Sequence, residues 1–158
     1  MHRIALTFAG IALAVLSSAA TAAEPALPPA AAYDAALAKR VGADERGMRR
    51  YVLVILKTGP KRMPDGDARK AMFAGHMANI TRLSEAGQLV LAGPFAQDPA
   101  GWRGLFLLAV ESLDEARRLT ETDPVIVEGE MVAEYHPWYG SAAAMVLPEI
   151  HRTLAPPK

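Results

Sequence analysis

The chain of 158 residues contains no cysteine. A disulfide scaffold, a thiolate metal site and a thiol nucleophile are thereby excluded, and core packing alone must hold the fold. Charge of either sign is not in excess: 17 Lys and Arg stand against 17 Asp and Glu, so no basic face marks a nucleic-acid or anionic-lipid partner. Neither G-x-x-x-x-G-K-[ST] nor G-x-G-x-x-G occurs, which removes support for a nucleotide. H-x-x-x-H and H-E-x-x-H are missing as well, and neither a metal nor an organic cofactor is expected. No apolar run reaches the ~20 residues that a bilayer-spanning helix needs.

What is present begins with Met1-His2-Arg3, the apolar stretch IALTFAGIALAVL, and small residues up to Glu24. A basic start, a short apolar segment and small-x-small cleavage positions at Ala22 or Ala23 predict a secretory signal over residues 1–23. The expected mature product is soluble, periplasmic or secreted, with 16 basic against 17 acidic side chains. Residues 24–49 read as an extension: a Pro- and Ala-rich tether, EPALPPAAA, then a short helix through AALAKRV capped by Asp34 and stopped by Gly42. Residues 50–140 form the expected domain, and 141–158 a tail.

Within that domain YVLVIL (51–56) and LFLLAV (105–110) are apolar at every position, as strands buried on both faces are. QLVLAGPF (88–95) and MVAEYHPWY (131–139) mix in polar residues, and each carries a proline, which places them at sheet edges. DARKAMFAGHMANITRLSEAG shows helical spacing at Met72, Phe73, His76, Ile80 and Leu83 and ends at Gly87. Ser112-x-x-Glu115 is a capping box opening a second helix, expected to run until Pro124 stops it. The order strand, helix, strand, strand, helix, strand predicts an α+β fold, a ferredoxin-like βαββαβ sandwich. Two helices cover only one face of such a sheet, and the cheapest cover for the other is a second copy, so a homodimer is expected.

His76 is the ionisable ring on an otherwise apolar stripe, and imidazole changes charge near neutral pH, so it calls for a partner or a task. Asp123, placed by this reading in the last turn of the second helix where a carboxylate is disfavoured, should seek a donor, and His76 is one. Each also has an ordinary reading: a core histidine bonded to a carbonyl, and an aspartate satisfying local backbone. Gly93 and Pro94 either shape a cleft wall or end a strand. Trp138 either lines the cleft or packs the dimer seam, as Tyr139 is expected to do. His136 would complete a metal set with His76 and Asp123, but an edge strand makes surface exposure the better reading. Lys57-Thr58-Gly59-Pro60-Lys61-Arg62 is equally a solvated turn or an anion contact. The sequon Asn79-Ile80-Thr81 falls inside a buried helix and reads as chance.

GHMANITRLSEAGQLVLAGPF followed by TETDPVIVEGEMVAEYHPW resembles the YciI-like, or YCII-related, family over roughly Arg50 to Trp138. Its pattern is matched by His76, Gly93-Pro94, Asp123-Pro124 and Pro137-Trp138. The resemblance implies a dimeric α+β barrel whose His76 and Asp123 form an acid/base dyad in a cleft for a small molecule. One branch of the family is a dehydrochlorinase acting on a chlorinated hydroxyhydroquinone without metal or organic cofactor. A His-Asp pair supports proton transfer without a nucleophile, which suits elimination or isomerisation of a small polar or phenolic substrate. A binding module using the same cleft, and an interaction protein docking through its sheet face or tail, are the alternatives.

Overall fold

The computed structural model describes residues 32–154 and residue 156; the expected signal and the EPALPPAA part of the tether lie outside the described residues. Asp34–Lys158 make one compact unit. No described helix is long and apolar enough to cross a membrane.

A first short helix, α1 (Ala35–Val41), starts where Asp34 accepts from the Leu37 N–H at 2.9 Å and stops at Gly42, whose φ of 67° is a left-handed position that side chains resist. Four strands follow, interleaved with helices: β1 (Met48–Thr58), α2 (Asp67–Glu85), β2 (Leu89–Pro94), β3 (Trp102–Leu108), α3 (Leu113–Thr120), α4 (Pro124–Val127) and β4 (Met131–Ser141). The sheet is antiparallel throughout in the order β2-β3-β1-β4. That is the expected ferredoxin-like arrangement: the two strands that carry the apolar runs are central, and Pro94 and Pro137 lie on the edges, where a missing N–H costs no ladder bond.

Strand alternation divides the apolar side chains between two faces. Val52, Val54, Leu56, Phe106 and Leu108 face the helices and close a core with Met72, Leu83, Ala116 and Val125. Tyr51, Val90 and Leu107 face the other way, with Leu53 against them. The sequence left this outer face for a second copy to cover. The chain's own tail takes part of it: a 3-10 turn (Ala142–Val146) lays Ala144 and Met145 on Tyr51, Val90 and Leu107, and α5 (Leu147–Leu154) continues along the β2 edge. The extension meets the tail there, through Arg40 to Glu149 at 3.1 Å and the Ala142 N–H to the Gly47 carbonyl at 2.9 Å.

The second helix departs from its expected course. α3 ends at Thr120, whose hydroxyl bonds back to the carbonyls of Ala116 and Arg117, and a new turn of helix begins at Pro124. Pro124 does not stop a helix; it starts one, at the first position, where its fixed φ fits and its missing N–H is not needed. Asp123 therefore caps the beginning of α4 and does not sit at the end of α3, so its carboxylate is in a favourable place.

Candidate active site

Three structural choices bring Asp123 to His76. The first is the cap itself: Asp123 Oδ1 accepts from the Val125 N–H at 3.1 Å, which fixes the carboxylate in the space facing α2. The second is Gly75 on α2, where a Cβ would fall 2.9 Å from the ring Cγ of Pro124. Only glycine lets α2 and the Asp123-Pro124 corner approach this closely. The third is Asn79, whose amide donates to Asp123 Oδ2 at 3.1 Å while its carbonyl oxygen accepts from Arg82 at 2.7 Å and Thr122 at 3.1 Å. Asn79 is buried and committed to this network, so the apparent sequon has a structural use.

His76 Nδ1 lies 3.0 and 2.8 Å from the two oxygens of Asp123. The imidazole stacks on Phe106 with centroids 5.9 Å apart, and Phe73 meets it edge-on at 6.2 Å. The carboxylate side chain is 0% exposed and the imidazole 12%. Donors converge on Asp123 from Val125, Asn79 and His76, so the ionised carboxylate satisfies the network and assigns the Nδ1–H tautomer to a neutral His76. Nε2 then carries the lone pair. It has no hydrogen-bond partner among the described residues and is not sealed from solvent. The arrangement can take up a proton at Nε2 and hold the resulting imidazolium against a buried anion.

A second polar cluster sits at the other end of α2, and sequence reasoning missed it. Glu130, just before β4, is buried; its carboxylate accepts from the Met63 N–H and from Arg69, both at 2.7 Å, and Arg103 Nη1 stands 3.9 Å away. Burial pushes the Glu130 carboxyl up, but the hydrogen bonds from Arg69 and Met63 and the charges of Arg69 and Arg103 outweigh it and hold the group below the ordinary glutamate range. The loop after β1 positions Glu130 by main-chain bonds: Gly59 N–H to the Glu130 carbonyl and Lys61 N–H to the Gly129 carbonyl. Of the two readings of this loop, the turn is what the backbone uses. Arg69 also covers the Phe73 ring, 4.8 Å from Cζ to centroid, so Phe73 touches both His76 and the arginine cluster. A hollow of about 340 Å³ opens beside Arg69, Lys70 and Phe73. The larger groove, about 510 Å³, runs between α2, β2 and α5 and is lined by Met77, Ile80 and Leu147 but by neither member of the dyad.

Of the remaining residues singled out by sequence, Trp138 and His136 lie on the face of the sheet opposite His76. Trp138 pairs across the sheet with Tyr51, its ring 5.4 Å from the tyrosine, and therefore lies on the outer face, away from α2. It is 43% exposed. Gly93 and Pro94 pair with Leu105 and Gly104 at the end of β2 nearest Arg103, whose carbonyl accepts the Phe95 N–H. His136 bonds Glu134 on the outer face at 2.8 Å, so strand alternation separates it from His76 and Asp123 and leaves no shared metal set. Arg69 was legible after all: it stands seven residues before His76, on the same stripe of α2.

The family model for the YCII-related domain matches residues 50–138. No curated protein matches the chain. Among solved structures, the chain is similar to 5-chloro-2-hydroxyhydroquinone dehydrochlorinase from Burkholderia phenoliruptrix AC1100 in complex with 2,5-dihydroxybenzoquinone. The identity is 20% and the TM-score 0.41, over 55% of this chain and 92% of that one.

Proposed function

From the premise that this chain belongs to the YCII-related family, we propose that it is an acid/base catalyst for a small polar or phenolic molecule, working by elimination or isomerisation with His76 and Asp123. The observation that carries the reading is the Nδ1 bond from His76 to a fully buried Asp123, with Nε2 unbonded among the described residues. In the proposed step Nε2 removes a proton from a C–H or O–H of the substrate. The released electron pair forms the new double bond, and either a leaving group departs or a proton returns at another atom. Asp123 holds the ring and stabilises the imidazolium; it takes no proton itself. Asn79 and the Val125 N–H keep the carboxylate aimed. The chemistry of these groups needs neither metal nor organic cofactor.

The N-terminal pattern supports export to the periplasm or beyond. The apolar part of the outer face that the tail leaves open, with Trp138 and Val132, supports association of two copies. A small-molecule binder without turnover is the competing reading, since shape and hydrogen bonds would suffice for it.

The deciding experiment is a thermal-shift screen of enolisable and phenolic compounds, with hits followed for turnover. Wild type should convert a hit, His76→Ala should bind it while losing roughly 10²- to 10⁴-fold in rate, and Asp123→Asn should fall between them. Equal turnover by wild type and His76→Ala would sink the catalytic reading, and binding without turnover by wild type would favour the binder.

A further inference from the structure

Arg103 sits where the ladder between β1 and β3 breaks register. Leu56 pairs with Gly104 and Lys57 with Trp102, so Arg103 is the extra residue of a β-bulge. Bulges re-aim side chains, and this one sends Arg103 to the helix side of the sheet, where it meets the Glu130 carboxylate at 3.9 Å. That distance is too long for a hydrogen bond. The carboxylate it approaches is already satisfied by Arg69 and the Met63 N–H.

Two guanidinium groups thus converge on one buried oxygen, Oε1 of Glu130, and the Asp65 carboxylate, 3.4 Å from Arg69, balances the second positive charge. Arg69 is held by Glu130, by Asp65 and by the Phe73 ring. Arg103, by contrast, makes no side-chain hydrogen bond among the described residues and stays 29% exposed, within reach of a solute. Glu130 takes its hydrogen bonds from Arg69 and the Met63 N–H, so the N–H donors of Arg103 are not spent on it.

We infer that Arg103 recognises an acid group, so that the ligand of this site is a small molecule bearing a carboxylate. The guanidinium fork matches a planar carboxylate with two parallel N–H donors, which a point charge such as lysine does not. Along β3, Arg103 lies three residues before Phe106, the ring under His76, a separation of roughly 10 Å. A single ring with one carboxylate, plus a hydrogen bond at each end, spans that distance. Phe73 flanks the path, touching both the imidazole and Arg69. This inference rests on His76 as the proton-transfer group for its account of the reacting end, but the carboxylate contact is measurable without turnover.

The test is binding of benzoate and its neutral isostere benzamide to the full chain, followed by backbone and arginine side-chain NMR shifts. Benzoate should bind wild type and His76→Ala alike, benzamide should bind neither, and Arg103→Gln should weaken benzoate about ten- to a hundredfold. Arg103→Lys keeps the charge beside Glu130 and controls for folding; it should bind benzoate more weakly than wild type while melting at the same temperature. Benzamide binding as well as benzoate, benzoate binding nothing, or Arg103→Gln and Arg103→Lys both matching wild type would each overturn the assignment. Benzoate binding to a wild type that converts no hit from the compound screen would leave the acid site standing while the catalytic reading falls.

Discussion

The two faces of the sheet carry similar inventories of charge and put them to different ends. On the helix side Glu130, Arg69 and Arg103 form a cluster around a carboxylate whose side chain is 0% exposed. On the outer side Lys57, Glu134 and His136 form another, but Glu134 is 46% exposed and its partners are comparably open. Water screens the outer trio, and each of its pairs contributes only ~0–1 kcal/mol. The inner cluster has lost that screening. Its members were expensive to bury, so removing one leaves the others uncompensated. The helix side is thus where a change in one side chain is felt elsewhere, and it holds the dyad.

The largest expected effect follows from that difference. Glu130→Ala leaves Arg69 and Arg103 facing each other and should cost about 3 kcal/mol in chemical denaturation, the lower end for a broken buried pair because both arginines keep some solvent. Acid should probe the same group. Glu130 is held below its ordinary value of 4.5, so its contribution is fully present above that pH and is lost as pH falls through the lower folded value. Melting temperature measured from pH 6 to pH 3 should fall more steeply in wild type than in Glu130→Gln. Parallel curves would mean that the cluster is no more strongly coupled than the outer trio.

Gly75→Val ranks next. The added atoms would meet Pro124 inside van der Waals contact, and a proline ring cannot swing aside. Forcing α2 and α4 apart should cost about 1–3 kcal/mol. The informative readout is the dyad: the His76 imidazole resonances should lose the signature of the Asp123 bond, while Leu37 and other reporters on α1 stay unchanged. An intact dyad in Gly75→Val would show that Asn79 and the Asp123 cap suffice without close packing.

How much of this was legible depended on whether the determinant was local. The βαββαβ order followed from apolar runs at 51–56 and 105–110 and from prolines at the two edges, all readable in short windows. His76 stood out because it broke the pattern of its own helix. Asp123 was identified as its partner but set in the wrong local structure: Asp-Pro reads equally well as a stop or a start, and only the early end of α3, drawn back by Thr120, decides between them. Arg103 could not be found from spacing, because a bulge changes which face a strand residue presents. Trp138 carried a family pattern, yet the alternation of β4 sends it outward with His136. Glu130 needed contacts from three segments, the loop at Met63, α2 and β3, and no local pattern announces that convergence.

The smallest expected change belongs to the outer face, and it discriminates between two uses of that face. Trp138 lies along β4 over Gly140, where any Cβ would strike its ring, and against Tyr51, so its indole has a defined seat although it is 43% exposed. Truncating a half-exposed side chain that seals no core should change the stability of one chain by about 1 kcal/mol or less. Lys57→Ala, which opens the exposed pair with Glu134, should do less still. If two copies meet on this face, Trp138→Ala removes an aromatic anchor from the interface, and the loss should appear as a concentration-dependent melting temperature and a weakened self-association in sedimentation equilibrium. A monomeric mass for wild type at every concentration, with Trp138→Ala melting as wild type does, would assign the outer face to the tail alone. The asymmetry between the faces would then be between a side that buries the dyad and one that the tail covers, with no second chain involved.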